Sequence, residues 1–477
     1  MQVALARRTL TPFGLWVFGA AASAPMVVLT GGIPATYAST QVTALPLTFL
    51  LVAGTVAVLA VGYTAMARQV GHPAAYYGIL AHGLGRGWGV AAGIVALVAY
   101  NAIQTSLYGL FGATLAGQLG GAWWVWAGVA LTVVGVLGVR AIVLSTRVLV
   151  AVLAVSFLIV AVFVAAAVRQ PAGGGLSWVG FDASGLAVGG IGGAIALCVA
   201  AFMGVDAPGS LVEEAVDRRS VGRATVTGAV VLGLVYAVAA WAMGVAVGPD
   251  AVTGADGGLP LSVLARVGGG WVPVAEVMLV LAIVTAMLAF HSVIARYLFA
   301  MAREEVLPAG LARADSATRI SAPRGGSLAQ SGIAVVVVGA FAAGGADPVA
   351  TMFTWLSTLG AMGLLCLLLA ASVAAMTAPA RIRGARPGGW EWRFAPALGA
   401  FGGSVVLAAM VGNVGPLLGA APGSPYPLLL PAIIVAAAVT GGVWAGHLRG
   451  TRPEVYHGIG RGTPKTHAVP DAVDVSI

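Results

Sequence analysis

Charged residues are scarce in this sequence. Of its 477 residues only 8% are charged, whereas 59% are apolar. A soluble globular domain carries roughly 25% charged residues, which cover its surface. With a mean hydropathy of +0.98, most of this surface is suited to lipid and not to water. The composition argues against soluble enzymes and against nucleic-acid-binding proteins.

Cysteine and recognisable catalytic motifs are also scarce. The two cysteines, Cys198 and Cys366, lie inside apolar runs, so they provide neither a disulfide framework nor the spacing of metal ligands. The chain contains no His-Glu-x-x-His and no Gly-x-Ser-x-Gly. We therefore expect a protein that is not an enzyme and that holds no cofactor and no metal.

Long apolar runs dominate what is present. A bilayer core needs about 20 apolar residues per helix, and the sequence divides on that basis into twelve runs. They lie near residues 12–38, 45–67, 88–117, 123–139, 148–168, 188–215, 225–247, 272–301, 328–344, 349–377, 394–413 and 427–447. The predicted fold is an all-α integral membrane protein with twelve transmembrane helices.

The basic residues predict the orientation. All Lys and Arg residues except Arg169 and Arg266 fall on one side of this arrangement. Cytoplasmic loops of membrane proteins carry the excess of positive charge. We therefore expect a multi-pass protein of the cytoplasmic (inner) membrane with both termini in the cytoplasm, where residues 1–11 form a short N-terminus and residues 448–477 a disordered tail.

Two of the runs are interrupted near their middles by glycine and proline. The first run contains Ala24-Pro25 and then residues 30–34 (Thr-Gly-Gly-Ile-Pro), and the sixth contains residues 202–209 (Phe-Met-Gly-Val-Asp-Ala-Pro-Gly). Proline removes a helix donor and glycine weakens a helix, so the chain is expected to unwind there. Unpaired backbone at membrane depth is tolerated only where it lines a cavity or is buried in protein.

A pair of simple kinks is the alternative. However, the breaks lie five runs apart and in runs of opposite direction, which is typical of an inverted repeat with a site at the midplane. The N-terminus of a half-helix suits a carboxylate, and freed carbonyls suit an ammonium group. The pattern favours a pocket for a zwitterion.

Several motifs then resemble one known family, the amino acid-polyamine-organocation permeases, which share the leucine-transporter fold. Residues 202–206 are similar to the break in that family's sixth helix, and residues 213–219 to the acidic-then-basic loop that follows it. Residues 296–308 (Arg-Tyr-Leu-Phe-Ala-Met-Ala-Arg-Glu-Glu-Val-Leu-Pro) resemble the loop after the eighth helix. Residues 30–33 resemble the first-helix signature more loosely.

The resemblance implies a transport core over residues 12–377, made of inverted five-helix repeats at about 12–168 and 188–377, with broken helices 1 and 6. Two peripheral helices would occupy 394–447. It also implies that a substrate carboxylate meets the amides near Thr30, Gly31 and Gly32, and that an amino group meets the carbonyls near Pro25, Met26, Ala200 and Ala201. Phe202 would gate the site, and Gly204 would let the backbone approach the substrate.

Polar residues inside the runs add further candidates. Asn101 and Gln104 lie on one helical face, and such groups either contact substrate or bond between helices. Asp206 and His291 are ionisable at membrane depth, which is costly and often functional. We assign them to coupling, although His291 is also compatible with a hydrogen-bonded core position.

One departure from the family concerns ion coupling. Many proton-coupled relatives carry a lysine in the fifth helix, where this chain has Ser156, and its single lysine is Lys465 in the tail. Sodium would need several oxygen ligands, and the inner half of the eighth run offers Ser292. We therefore expect coupling to protons through Asp206.

The expected function is secondary transport of an amino acid or a related amine across the membrane by alternating access. The partners are a small-molecule substrate, the lipid bilayer and protons, with no nucleic acid. A substrate exchanger or a non-transporting nutrient sensor on the same scaffold is the alternative.

Overall fold

The computed structural model describes residues 10–140, 146–254, 257–313, 323–380, 389–419 and 424–462. The predicted N-terminus 1–11 and the tail from residue 463 therefore lie wholly or mostly outside the described residues. Within those ranges the regular structure is helical, with one isolated bridge between Leu10 and Ala215.

The described ranges contain seventeen α-helices in chain order. The first half comprises α1 (Pro12–Ala22), α2 (Pro25–Val27), a π-helical turn (Val28–Gly32), α3 (Ile33–Thr40), α4 (Leu45–Val70), α5 (Ala75–Gly83), α6 (Arg86–Leu119), α7 (Trp123–Val139), α8 (Thr146–Arg169) and α9 (Ile191–Ala201). The second half comprises α10 (Arg218–Val247), α11 (Leu259–Ala265), α12 (Trp271–Arg303), α13 (Arg324–Ala343), α14 (Thr354–Thr377), α15 (Ala395–Leu417), α16 (Leu429–Thr451) and α17 (Pro453–Gly458).

Ten helical stretches of the described chain are long and apolar enough to cross a membrane. Two further apolar helices, α7 and α9, are shorter, with 17 and 11 residues. Helix α9 leads through the second break into a 3₁₀ segment, Ala207–Leu211. Each of the twelve predicted runs therefore coincides with a helix or a broken helix, and the protein is a multi-pass, all-helical membrane protein.

Burial separates a centre from a periphery. The first broken stretch, Pro12–Thr40, is 89% buried over its apolar window, whereas Arg324–Ala343, Trp390–Gly415 and Tyr426–Thr451 are each 28% buried. Helices with apolar residues on all sides lie at the centre, and those that expose one apolar face meet lipid. These three stretches, which include the last two of the described chain, lie at the periphery of the bundle.

The two breaks contact each other. Helix α1 ends at Ala22, and Ala24 has a left-handed backbone conformation with φ of 47°. In the second break Gly204 has φ of +100°, and a Cβ placed there would lie 2.7 Å from the Cβ of Ala22. The Ser23 Oγ donates to the Met203 carbonyl at 3.0 Å. Only glycine fits position 204, because both its conformation and its space exclude a side chain.

Ion pairs join the last turns of α12 to the loop before α10 at one end of the bundle. Residues 296–303, predicted to belong to a loop, are the end of α12. Arg296 of α12 donates to Glu214 at 2.7 Å, and Arg303 donates to Glu213 at 3.1 Å. The backbone of Leu10 bonds Glu214 and Val216. We call this the arginine-rich end. The two loop motifs that resemble the permeases thus bind each other here.

The C-terminal segment docks on the same end through Glu304. That carboxylate accepts bonds from the amides of Gly460 and Gly462, at 2.8 and 2.7 Å, and from the Tyr77 hydroxyl, and it pairs with His72 at 2.9 Å. Residues 448–462, predicted to begin a disordered tail, are instead the end of α16, the short helix α17 and this docked turn. The composition of the segment gave no sign of it, because its partners come from distant loops.

We expect Gly204→Ala to lower the stability of the purified protein by about 2 kcal/mol or more, since a methyl group adds both strain at positive φ and overlap with α1. The thermal midpoint in detergent measures this. Gly54→Ala is the matched control, because a Cβ there meets nothing within 4 Å in the middle of α4. An equal midpoint for both variants would contradict the contact between the breaks.

Glu304→Gln should release the C-terminal segment. Burial raises the pKa of this carboxyl, but the bonds from His72, Tyr77 and Gly460 outweigh burial, and the pKa is lowered from 4.5. The docked state therefore gains stability above the ordinary pKa and loses it as pH falls through the lower, folded-state pKa. Replacing the carboxylate removes charge-assisted bonds worth roughly 1.5–3 kcal/mol each.

Trypsin cleavage after Arg461 at neutral pH measures this release. The variant should be cut at least several-fold faster than the wild type. Glu305→Gln is the control, because Glu305 pairs with Arg452 of the same segment but is 64% exposed, and exposed pairs contribute little. Equal cleavage of the wild type and Glu304→Gln would show that Glu304 does not hold the segment.

Candidate functional site

A small cavity of about 60 Å³ lies where the two broken helices meet. From the first broken helix it is lined by residues on both sides of the break, and from the second by Ala200, Ala201 and Met203. A water molecule needs roughly 10–15 Å³, so the space in this conformation suits a few heavy atoms.

The first break places a helix start at the cavity. Ala24 and Val27 line it, and the helical stretch that begins at Pro25 runs on without interruption to Thr40. The start of such a helix carries positive potential, although Pro25 has no N–H and the Ala24 and Val27 N–H groups already donate to the carbonyls of Ala21 and Ala24. On the opposite side α9 ends at Ala201, where its last carbonyls carry the negative end of the dipole.

The predicted carboxylate contacts lie elsewhere. Residues 28–32 form a π-helical turn and do not unwind, and the Thr30 hydroxyl bonds the Met26 carbonyl at 2.9 Å. Of Thr30, Gly31 and Gly32, only Gly32 lines the cavity, and Gly31 faces Leu110. The helix start is therefore at Ala24-Pro25, the first of the two places that the sequence indicated, and not at residues 30–34, because the π turn keeps residues 28–32 helical.

Some of the other predicted contacts line the cavity and the rest do not. Ala200 and Ala201 line the cavity, whereas Pro25 and Met26 are buried beside it without forming its lining. The Phe202 ring packs edge-on against Tyr236, 5.8 Å away, and does not cover the cavity. Gly204 serves the contact between the breaks.

Helix α6 turns an apolar face to the cavity. Ile103 and Leu107 line it, together with Phe290 of α12 and Ser357 of α14. Asn101 instead donates to the Leu97 carbonyl at 2.8 Å, and Gln104 points away. The sequence analysis selected the polar residues of α6, because the i, i+4 spacing of Ile103 and Leu107 is the same in a core as in a binding site.

Gln104 and His291 belong to one buried polar cluster between α6, α12 and α13. The His291 Nε2 lies 2.7 Å from the Ser327 Oγ, and its Nδ1 lies 3.5 Å from the Gln104 Nε2. Gln330 donates to Gln104 at 2.5 Å. The cluster bonds helices to each other, and none of these residues lines the cavity.

Asp206 lies in a separate cluster, one turn beyond Met203. Its carboxylate accepts from Tyr76 at 3.0 Å and from Tyr100, and its backbone carbonyl accepts from Tyr63 at 3.4 Å. Asp206 is 4% exposed, and its Oδ1 has no hydrogen-bond partner among the described residues. The structure shows no contact between Asp206 and His291 within the described ranges.

Ser292, the oxygen considered for sodium, is already engaged. Its hydroxyl accepts from the Arg296 guanidinium, which also pairs with Glu214. A sodium ion there would face a fixed positive charge. The described residues contain no group of three or more His, Cys, Asp or Glu side chains able to hold a metal.

The fold is similar to two crystal structures of mutants of the Eremococcus coleocola manganese transporter. Each has a TM-score of 0.54 and 13% identity, with 93% of this chain and 95% of the other chain covered. At this identity the likeness shows the fold alone. A comparison with curated proteins finds no match.

A family comparison covers far more than half of the sequence. Residues 13–439 match the family described as "Amino acid permease", which spans both breaks, the cavity and the ion-paired loops. The chain therefore belongs to the amino acid permease family, within the amino acid-polyamine-organocation superfamily.

Proposed function

We propose that this protein is a secondary transporter that moves an amino acid or a related amine by alternating access. The observation that carries the proposal is the cavity at the contact between the two breaks, with a helix start on one side and a helix end on the other. Such ends provide complementary partial charges for the carboxylate and the ammonium group of one substrate. For the carboxylate we propose the positive end of the helix at residues 24–27, together with Gly32, and for the ammonium group the carbonyls of Ala200 and Ala201.

The lining favours a neutral substrate with a small apolar side chain. Beside the helix ends, the cavity presents mostly aliphatic and aromatic carbon, from Ile103, Leu107, Ala286, Phe290 and Phe353. None of the described residues that line it carries a formal charge. A cationic or anionic side chain would be buried here without a partner, which costs several kcal/mol.

Manganese, the cargo named for the structural neighbours, suits this cavity poorly. A hard cation prefers carboxylate, carbonyl and water oxygens, and the described lining holds no carboxylate and no imidazole. Helix ends and apolar carbon fit a zwitterion better than a bare ion.

The proposal includes an arrangement in the membrane with twelve membrane-spanning segments. Core residues 12–377 would form two inverted repeats, 12–168 and 188–377, and residues 394–447 a peripheral pair. This arrangement would place the cavity near the midplane. The arginine-rich end would lie in the cytoplasm with both termini, by the excess of positive charge, and the inner membrane would be the location.

Asp206 is the proposed proton carrier. An ionised carboxylate makes charge-assisted bonds about twice as strong as neutral ones, so ionised Asp206 would hold Tyr76 of α5 and Tyr100 of α6 on the broken segment. Protonation would loosen them. Among the described residues His291 bonds to Ser327 and Gln104 and to no member of this cluster, so its role is proposed as structural.

A ligand screen tests the substrate. Purified protein should show a raised thermal midpoint with small neutral amino acids such as alanine, valine and leucine, and no shift with lysine, glutamate, putrescine or Mn²⁺. At a concentration of 100 Kd a ligand stabilises the folded state by about 2.7 kcal/mol. Leu107→Ala, which enlarges the cavity, should extend the response to larger side chains, while Leu115→Ala, farther along α6, should not.

Two outcomes of the screen would distinguish the proposed neutral side chain from the proposed class of substrate. A response to charged amino acids or amines alone would overturn the neutral side chain but leave the transporter of amino acids or amines standing. A response to Mn²⁺ alone would overturn both. Counterflow of labelled substrate in vesicles then distinguishes a transporter from a non-transporting sensor.

Asp206→Asn tests the coupling. We expect this variant, reconstituted in vesicles, to exchange substrate at a rate near that of the wild type but to lose accumulation driven by an inward proton gradient, because an amide cannot carry the proton. Glu276→Gln is the control and should keep both activities, because Glu276 is a carboxylate of α12 that lies outside the Asp206 cluster. Proton-driven accumulation by Asp206→Asn, or uptake by the wild type that requires sodium at constant pH and potential, would refute proton coupling through Asp206.

A further inference from the structure

An open groove of about 960 Å³ lies on the outer surface of the bundle at the arginine-rich end. Helix α4 forms its floor, the start of α10 forms one wall, and the π-helical turn Trp390–Phe394 before α15 forms the other. It shares no residue with the cavity between the breaks. Nothing in the proposed transport cycle uses it.

The groove has an excess of positive charge. Four guanidinium groups and two carboxylates line it. Arg68 is paired with Glu391 at 2.8 Å, and the Asp217 carboxylate caps α10 by accepting from the amide of Arg219 at 2.9 Å. The side chains of Arg219 and Arg223 are exposed and form no ion pair among the described residues.

Arg219 occupies an electrostatically unfavourable position on α10. It lies in the first turn of this helix of 30 residues, and Arg223 lies one turn farther along. The N-terminal end of a helix carries positive potential, which disfavours cations and favours an anion. A bound anion would therefore be stabilised both by the guanidinium groups and by the helix.

The exposed face of α10 continues from these arginines into an apolar stripe. The residues of this face recur every three or four positions, so they lie on one side of the helix. The face comprises Arg219, Arg223, Thr227, Val230, Leu234 and Val238. The last three form the apolar stripe and are 45%, 54% and 41% exposed. In a membrane protein an exposed apolar stripe faces lipid. From Arg223 to Val238 it extends about 22 Å at 1.5 Å per residue, more than the depth of one leaflet of a roughly 30 Å core.

The opposite wall repeats this arrangement. Trp390 is 59% exposed at the groove, and Phe394, Leu398 and Phe401 follow on the same face with exposures of 68%, 56% and 71%. Tryptophan is enriched where the head groups meet the hydrocarbon. Cations and an aromatic ring thus lie at head-group depth, with an apolar surface beyond them on both sides.

We propose that this groove binds an anionic phospholipid. The phosphate lies between Arg219 and Arg223 at the start of α10, and the acyl chains lie along the stripes of α10 and α15. A free phosphate would use the arginines but not the apolar walls, so the lipid is the occupant that accounts for both. Because α4 lies between α10 and α15, the bound lipid would hold these three helices together.

The test compares lipids of the same acyl chains on delipidated, purified full-length protein. Phosphatidylglycerol should raise the thermal midpoint more than phosphatidylcholine at equal mole fraction in mixed micelles, and glycerol 3-phosphate should have no effect. The double variant Arg219→Gln/Arg223→Gln should bind phosphatidylglycerol roughly tenfold or more weakly, since each basic residue near an anionic surface contributes on the order of 1 kcal/mol. Arg449→Gln, an exposed arginine near the end of α16 outside the groove, should bind as the wild type does.

Equal shifts with the two lipids on the wild-type protein would overturn the proposal whether or not the variants fold. An equal response to glycerol 3-phosphate would show a site for free phosphate esters instead. Arg219→Lys/Arg223→Lys keeps the charge and should retain most of the binding, and a loss in that variant as severe as in the glutamine variant would mean that the arginines act through structure and not through charge.

Discussion

The contact of Gly204 with the end of α1 is the constraint on which the rest of the structure depends. Each broken helix leaves peptide groups without their helical partners at membrane depth, where an unpaired group costs several kcal/mol. The Ser23 hydroxyl satisfies the Met203 carbonyl, and the Tyr236 hydroxyl satisfies the Ser23 carbonyl. Each break is therefore tolerated because the other lies against it, and the small space that remains between them is the cavity.

The sequence predicted those features of the fold that the lipid environment imposes. Each of the twelve apolar runs coincides with a helix or a broken helix, although α10 begins at Arg218 and its run near residue 225, because lipid requires every backbone bond to be made inside a segment. The second break was equally visible, since Gly204 and Pro208 occur together in an apolar run. The loop motifs at Glu214 and Arg296 were recognised separately, and the structure shows the reason that both occur: they form one ion pair.

The sequence indicated two places for the first break, and the structure distinguishes them. Residues 30–34 contain two glycines and a proline, yet they stay helical, because Pro34 lies at the second position of α3 and a π turn precedes it. The helix is interrupted at the other place, Ala24-Pro25, where Ala24 has φ of 47°, a conformation that alanine does not favour by itself. Tertiary contact with residues 203–204 imposes that conformation, and a sequence without its fold does not contain the contact.

The polar residues of α6 were predicted to contact substrate or to bond between helices, and they bond within the protein. In a membrane an amide side chain must find a partner whether or not a ligand is near. Gln104 finds Gln330 and Tyr108, so its polarity reports helix packing. The face that meets the cavity carries Ile103 and Leu107. Apolar residues of this kind occur equally on a lipid-facing surface, in a core and in a binding site, so their type does not indicate which of the three they form.

The cavity and the arginine-rich end are joined by one short stretch of chain. Met203 lines the cavity, Asp206 holds the tyrosines of α5 and α6, and Glu213 and Glu214 pair with the arginines of α12, all between the second break and the start of α10. A substrate shifts a conformational equilibrium only by its differential affinity for the two states. The stretch is buried nearly throughout, since Met203, Asp206 and Leu211 are 1%, 4% and 2% exposed. The break that satisfies the backbone at the cavity is therefore also the segment of chain that joins the cavity to the ion pairs.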